Sequence, residues 1–165
     1  MRLDYPDERE CRWLVSQGVT PDTIATPRPI RAASVWFWQN TFDFDVDGER
    51  SLIFLEDRDA IAWQPRTGAL ACWRGVAFCL NEEAIDNPAT YFAGGALKIH
   101  RTPLDWLRAD GNGIVIVQPR YAYASLRHAR RLAFADEAYA RQVQQWISPP
   151  TPTAEFLVET ITRAA

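Results

Sequence analysis

Residues 35–55 read Val35-Trp36-Phe37-Trp38-Gln39-Asn40-Thr41-Phe42-Asp43-Phe44-Asp45-Val46-Asp47-Gly48-Glu49-Arg50-Ser51-Leu52-Ile53-Phe54-Leu55, and how this stretch pairs decides the fold. Aromatic residues crowd its first half, Asp47-Gly48 is the dipeptide a tight type I′ turn prefers, and Ser51 to Leu55 is an apolar return strand. A two-residue turn there sets Val46 opposite Glu49, Asp45 opposite Arg50 and Phe42 opposite Ile53, giving one apolar face and one with an ion pair. Leu52 and Phe54 fall on that second face, so the return strand is expected inside a sheet, covered on both sides. Trp36 and Trp38, with Phe37 between them, put bulky rings on both faces of one strand. A single sheet does not cover both, and an exposed remainder would serve as an interface anchor, because tryptophan and arginine dominate binding hot spots.

Working outward, a second hairpin is expected from Ala60 to Gln64 and Ala69 to Arg74, joined through Pro65-Arg66-Thr67-Gly68. Val76 to Leu80 extends it, completing an antiparallel β-meander from about Val35 to Leu80. Upstream, Pro6 to Gly18 is helical, with acids in its first turn, a glycine stop, and Cys11, Leu14 and Val15 as the buried stripe. Downstream of Asn81 the texture changes to short alternating strands and helices. Leu97 to His100 and the wholly apolar Ile114 to Val117 read as strands, and Thr102-Pro103-Leu104-Asp105 as a helix start with Leu104 and Leu107 inward. Pro119 opens another helix, Leu132 to Phe134 is a third strand, and Asp136 caps a helix whose stripe is Tyr139, Val143, Trp146 and Ile147. The expected class is therefore α+β: a meander followed by a β-α-β-α-β-α segment, with helices at both termini. Residues 1–150 form one domain in this reading, and 151–165 are a tail helix behind the proline-rich 148–153 connector.

The chain has 165 residues, 47% hydrophobic and 24% charged, enough to bury a core and too apolar for a disordered chain. Its opening residues are acidic with no apolar run behind them, and no stretch approaches the ~18 apolar residues of a membrane span. The three cysteines, Cys11, Cys72 and Cys79, imply no disulfide framework, so reduced thiols and a cytoplasmic location are expected. Lys98 is the single lysine against 17 arginines, a bias that fits a GC-rich bacterial genome. Charge is lopsided: residues 1–60 hold 7 basic and 12 acidic side chains, net −5, whereas residues 98–135 hold 7 and 2, net +5.

Four groups of residues invite a chemical reading. Asp43, Asp45 and Asp47 with Gly48 match the start of a calcium loop, but position 12 is Phe54 rather than a bidentate glutamate and the flanks are strand-like. Glu56-Asp57-Arg58-Asp59 could join Asp43 and Asp45 in a metal-hydrolase site, although a charged turn accounts for the same residues. Cys72 or Cys79 with His100 would be a nucleophile pair, yet cysteines in apolar strands behave as small hydrophobes, and their spacing is not that of a zinc site. Gly94-Gly95 belongs to no phosphate-loop motif and no cofactor is implied.

The basic segment is the remaining feature. If Arg120 to Arg131 is one helix, Arg120, Arg127 and Arg131 share a face opposite Ala122, Leu126 and Ala129, with Tyr121 and His128 flanking that edge. Arg101 and Arg108 would widen the patch into a surface for phosphate or an exposed base. Arginines solvated or paired with the acidic half are the stronger reading. The expectation drawn from all of this is a non-enzymatic binding or accessory protein that recognises a protein partner, and secondarily nucleic acid. The competing expectation is a divalent-metal-dependent phosphoester hydrolase built on Asp43, Asp45 and Asp47.

Overall fold

Strand β1 (Arg31–Trp38) turns back through Gln39 and Asn40 into β2 (Thr41–Phe44), with Trp38 opposite Thr41, Phe37 opposite Phe42 and Trp36 opposite Asp43. The hairpin turn is therefore at Gln39-Asn40 and not at Asp47-Gly48. Gln39 takes φ 53 without being glycine, and the Thr41 hydroxyl donates to Trp38 O at 3.0 Å to close the turn. The structure is a computed structural model that describes residues 3–25 and 29–148.

Asp45 to Gly48 does form a turn, closed by Gly48 N–H donating to Asp45 O at 3.1 Å, but it carries the chain across β1. Strand β3 (Glu49–Glu56) then pairs antiparallel with β1 on the side away from β2, so Arg50 lies opposite Ser34 instead of Asp45 and Ile53 opposite Arg31 instead of Phe42. The glycine is needed for a reason other than positive φ. A Cβ on Gly48 would stand 2.4 Å from Val35 O, so only a bare backbone fits over β1 there.

β4 (Asp59–Trp63) and β5 (Leu70–Cys72) form the expected second hairpin, and Thr41 pairs in parallel with Cys72 to return the sheet to β2. The result is a closed barrel in the order β1-β2-β5-β4-β3, correcting the simple meander. Residues Ser51 to Phe54 of β3 are all buried, as a strand flanked by two others and covered on both faces requires. Ala33, Val35, Phe42, Ile53, Ala62 and Ala71 fill the barrel interior, where alanines make room for the phenylalanine rings.

The second half follows the expected β-α-β-α-β-α succession. A four-stranded sheet has the order β6-β8-β7-β9, from β6 (Cys79–Leu80), β7 (Leu97–His100), β8 (Ile114–Ile116) and β9 (Leu132–Ala133). The pairings of β7 with β8 and β9 are parallel, and that of β6 with β8 is antiparallel. One sheet face, with Ile99, Ile114 and Ile116, packs under α4 (Ala122–Leu126) and α5 (Glu137–Trp146) through Leu126, Tyr139 and Val143. The other, with Leu80 and Val115, shares a core with Phe54, Ile61 and Cys72 on the outside of the barrel, joined by Leu14 of α1 (Glu8–Ser16) and Leu107 of α3 (Pro103–Arg108). A short α2 (Pro21–Ala25) lies between α1 and β1.

Thr102 and Asp136 cap their helices as expected, whereas Asp7, expected inside the first turn of a helix from Pro6, stands just before α1 as its N-cap. Asp7 accepts from Glu10 N–H in a capping box, Thr102 from Asp105 N–H and Asp136 from Ala138 and Tyr139 N–H. Within α1, Leu14 is buried but Val15 is exposed, and Trp13 takes the inward place by packing on Trp63 at 6.1 Å. No helix among the described residues is long and apolar enough to cross a membrane. The tail helix expected from residue 151 lies outside the described residues.

Candidate functional site

The outer face of the β1–β2 hairpin carries two tryptophans with nothing packed over them. Trp36 is 60% and Trp38 67% exposed, whereas Phe37 between them points inward to Phe42 at 6.4 Å. The interior rings continue from Phe42 to Phe44 (5.3 Å) and from Phe44 to Trp73 (5.7 Å), with the Arg74 guanidinium 4.7 Å over Trp73. This aromatic row stiffens the strand that displays the outer pair. Alternation explains the arrangement, because successive side chains of β1 leave on opposite faces and the odd-numbered ones fill the barrel.

Asp43 faces Trp36 across the hairpin on the same outer surface. Asp43, Asp45, Asp47 and Glu49 are all exposed, Val46 at their centre is 92% exposed, and no basic residue lies between 41 and 49. Among the described residues no ion pair engages these four acids. Asp45 Oδ1 accepts from Asp47 N–H at 2.9 Å, so its carboxylate is partly spent on the turn. Arg50, expected to pair with Asp45, is held by Glu10 (Nε to Oε1, 3.1 Å), Asp4 (3.6 Å) and the Tyr5 carbonyl. Among the described residues no group of three or more His, Cys, Asp or Glu side chains is arranged to hold a metal ion.

Asp59, assigned from sequence to a charged turn, is buried. Its Oδ1 accepts from Ala60 and Arg74 N–H, and its Oδ2 from Val76 and Ala77 N–H, all at 2.8–2.9 Å. It pins the β5–β6 connection to the start of β4. Asp57 and Arg58 beside it are exposed, and Glu56 accepts from Asn81 N–H at 2.8 Å.

The thiols are structural. Cys72 donates to Ala77 O at 3.2 Å, and burial pushes its pKa up to about 12, while burial also raises Cys79 well above the ordinary thiol value. His100 is occupied elsewhere, its Nε2 bonding Asn112 O at 2.8 Å.

The basic residues do not share one helix face. The segment is a single 3₁₀ turn at Pro119–Tyr121 followed by α4, which ends at Leu126. It cannot run on to Arg131, because β9 must be extended to pair with β7 and Arg131 O already accepts from Leu97 N–H. Arg120 donates to Gln118 Oε1 and stacks 4.7 Å over Tyr121. Arg101 pairs with Asp136 at 2.7 Å, and Arg108 donates to Gln17 O and lies 3.5 Å from Asp105. The N–H groups of Tyr139 and Ala138, with Arg101, hold Asp136 below the usual carboxylate range. Arg127, His128 and Arg131 remain exposed, and Arg131 reaches the Gly94 carbonyl at 2.7 Å. Sequence reading passed over Arg130 and the 81% exposed Phe92. Compared with known proteins, the chain matches no family model, no curated protein and no solved structure.

Proposed function

We propose that the protein is a non-enzymatic binding or accessory protein that acts by surface recognition of a protein partner through the outer face of the β1–β2 hairpin. The observation that carries this reading is the exposed pair Trp36 and Trp38, two large rings kept in water on a rigid strand while Phe37 beside them is inward. Leaving such area uncovered forgoes burial of roughly 25 cal/mol for each Å² of apolar surface, which a partner recovers on docking. The flanking acids supply the polar rim and favour a partner segment bearing lysine or arginine, whose cations also suit indole faces. Three unpaired thiols support a reducing, cytoplasmic setting.

The test is a photo-crosslinking residue placed at position 38, compared with the same residue at Arg141 on the exposed face of α5, in extract of the source cell. A product specific to position 38 is expected, and the purified product should bind Trp36→Ala/Trp38→Ala at least about tenfold more weakly than the wild type. Identical products from both positions, or unchanged affinity of the double variant, would overturn the reading.

A further inference from the structure

We infer that the loop ending at Gly95 and the Arg127–Arg131 turn together form a binding surface for single-stranded nucleic acid, with Phe92 as the base-stacking platform and Arg127, Arg130 and Arg131 as the phosphate contacts. This surface lies on elements separate from the tryptophan pair and does not depend on that proposal.

The ring is displayed by a braced loop. Tyr91 and Thr90, immediately before Phe92, anchor their hydroxyls on Ile85 O and Ala84 O, both at 2.8 Å. After Phe92 the chain enters a left-handed alanine, Ala93 at φ 50, and Gly95 N–H closes the turn on Phe92 O at 2.9 Å. Gly95 has no room for a side chain, since a Cβ there would stand 2.6 Å from Thr90 O. An alanine held at positive φ is strained, and such strain persists only where its surroundings impose it. The outcome is a phenylalanine 81% exposed on a loop fixed from both sides.

Two contacts bring Arg131 to this loop. Arg131 Nη1 donates to Gly94 O at 2.7 Å, and Arg131 O accepts from Leu97 N–H at 3.0 Å. Arg130 also acts electrostatically on Tyr91, next to the displayed ring, and Asp86 is the acid that acts on the same tyrosine. Among the described residues no ion pair engages Arg127, Arg130 or Arg131, and residues 126–135 contain no acid. A guanidinium held on Gly94, two residues from a braced exposed ring, with Arg127 and Arg130 exposed in the same turn, matches the two chemistries of a single strand, phosphate charge and an open base face. A duplex hides its base faces, and an acidic peptide satisfies the arginines but leaves the ring unused.

The probe is a fluorescein-labelled oligothymidylate of about 20 nucleotides, read by anisotropy, with a duplex of equal length and polyglutamate as competitors. Three phosphate contacts on a single strand give a log–log salt slope of about −2, so affinity should fall roughly 100-fold from about 20 to 200 mM salt. Phe92→Ala should weaken binding about tenfold at every salt concentration with the slope kept. Arg127→Ala/Arg130→Ala should flatten the slope to about −0.7, and Asp86→Asn should tighten binding. All four side chains are exposed, and unchanged thermal melts establish that the variants are folded. No binding at the lowest salt, wild-type affinity in Phe92→Ala, or equal competition by duplex or polyglutamate would each overturn the inference.

Discussion

Four backbone N–H groups converge on the carboxylate of Asp59, two on each oxygen, in a place where the surrounding Glu56-Asp57-Arg58 reads as a solvated turn. Nothing in the spacing of the four charges separates Asp59 from Asp57, because three of the four groups that select it come from Arg74, Val76 and Ala77, brought in by the chain's return from β5. An amide in its place offers one acceptor oxygen and turns an NH₂ toward two donors, leaving buried N–H groups unsatisfied. Asp59→Asn is expected to cost about 2 to 3 kcal/mol, seen as a lower urea midpoint with an unchanged slope. Asp57→Asn, at an exposed position, should change stability by less than about 0.5 kcal/mol. Equal midpoints for the two variants would show that the carboxylate is not a structural latch. Trp36 and Trp38 are the opposite case: their period-two spacing made a shared face readable, although only the fold shows that nothing covers it.

The starts of α3 and α5 were legible because Thr102 and Asp136 offer an acceptor to the next turn, whereas α1 was legible as a helix but its start was set two residues early, with Asp7 inside the first turn instead of capping it. The second hairpin was legible for a similar reason, since Gly68 in its loop has φ 76 and marks the reversal. The first hairpin was not, because its turn at Gln39-Asn40 contains no glycine and Asp47-Gly48 nearby carries a stronger turn signal. That signal marks a true turn but not its partner strand, and choosing the wrong partner converts a barrel into a meander. The single helix expected over Arg120–Arg131 was not legible either, since helical spacing says nothing of the pairing of β9 with β7 that forbids it. The two glycines allow a direct comparison. Gly68→Ala meets no neighbour and bears only the cost of a left-handed alanine, about 1 kcal/mol. Gly48→Ala must displace the backbone of β1 at Val35 and should cost about 2 to 3 kcal/mol, measured as the difference in urea midpoints. A Gly48→Ala variant no weaker than Gly68→Ala would mean that the turn at Gly48 does not pass over Val35 of β1 as described.

Barrel and sheet are stitched together by both apolar and polar contacts. Leu80 and Val115 of the sheet share a core with Phe54, Ile61 and Cys72 of the barrel. Asn81 N–H donates to Glu56, and buried Gln118 donates to Ala77 O at 3.0 Å and contacts Cys72 Sγ at 3.5 Å. Opening either half would strip these groups of their partners and expose the apolar face that the two halves share. The expected consequence is one cooperative unfolding transition for residues 3–148. The chain carries a reporter in each half, with Cys72 in β5 of the barrel and Cys79 in β6 of the sheet, both buried. In a Cys11→Ser background, brief pulses of a thiol reagent across a urea series should label both cysteines with the same midpoint, coincident with the loss of far-ultraviolet dichroism. Cys79 labelled at clearly lower urea than Cys72, or the reverse, would divide the molecule into two independently folding units. The recognition surfaces on the barrel and on the sheet would then have to be treated as belonging to separate bodies.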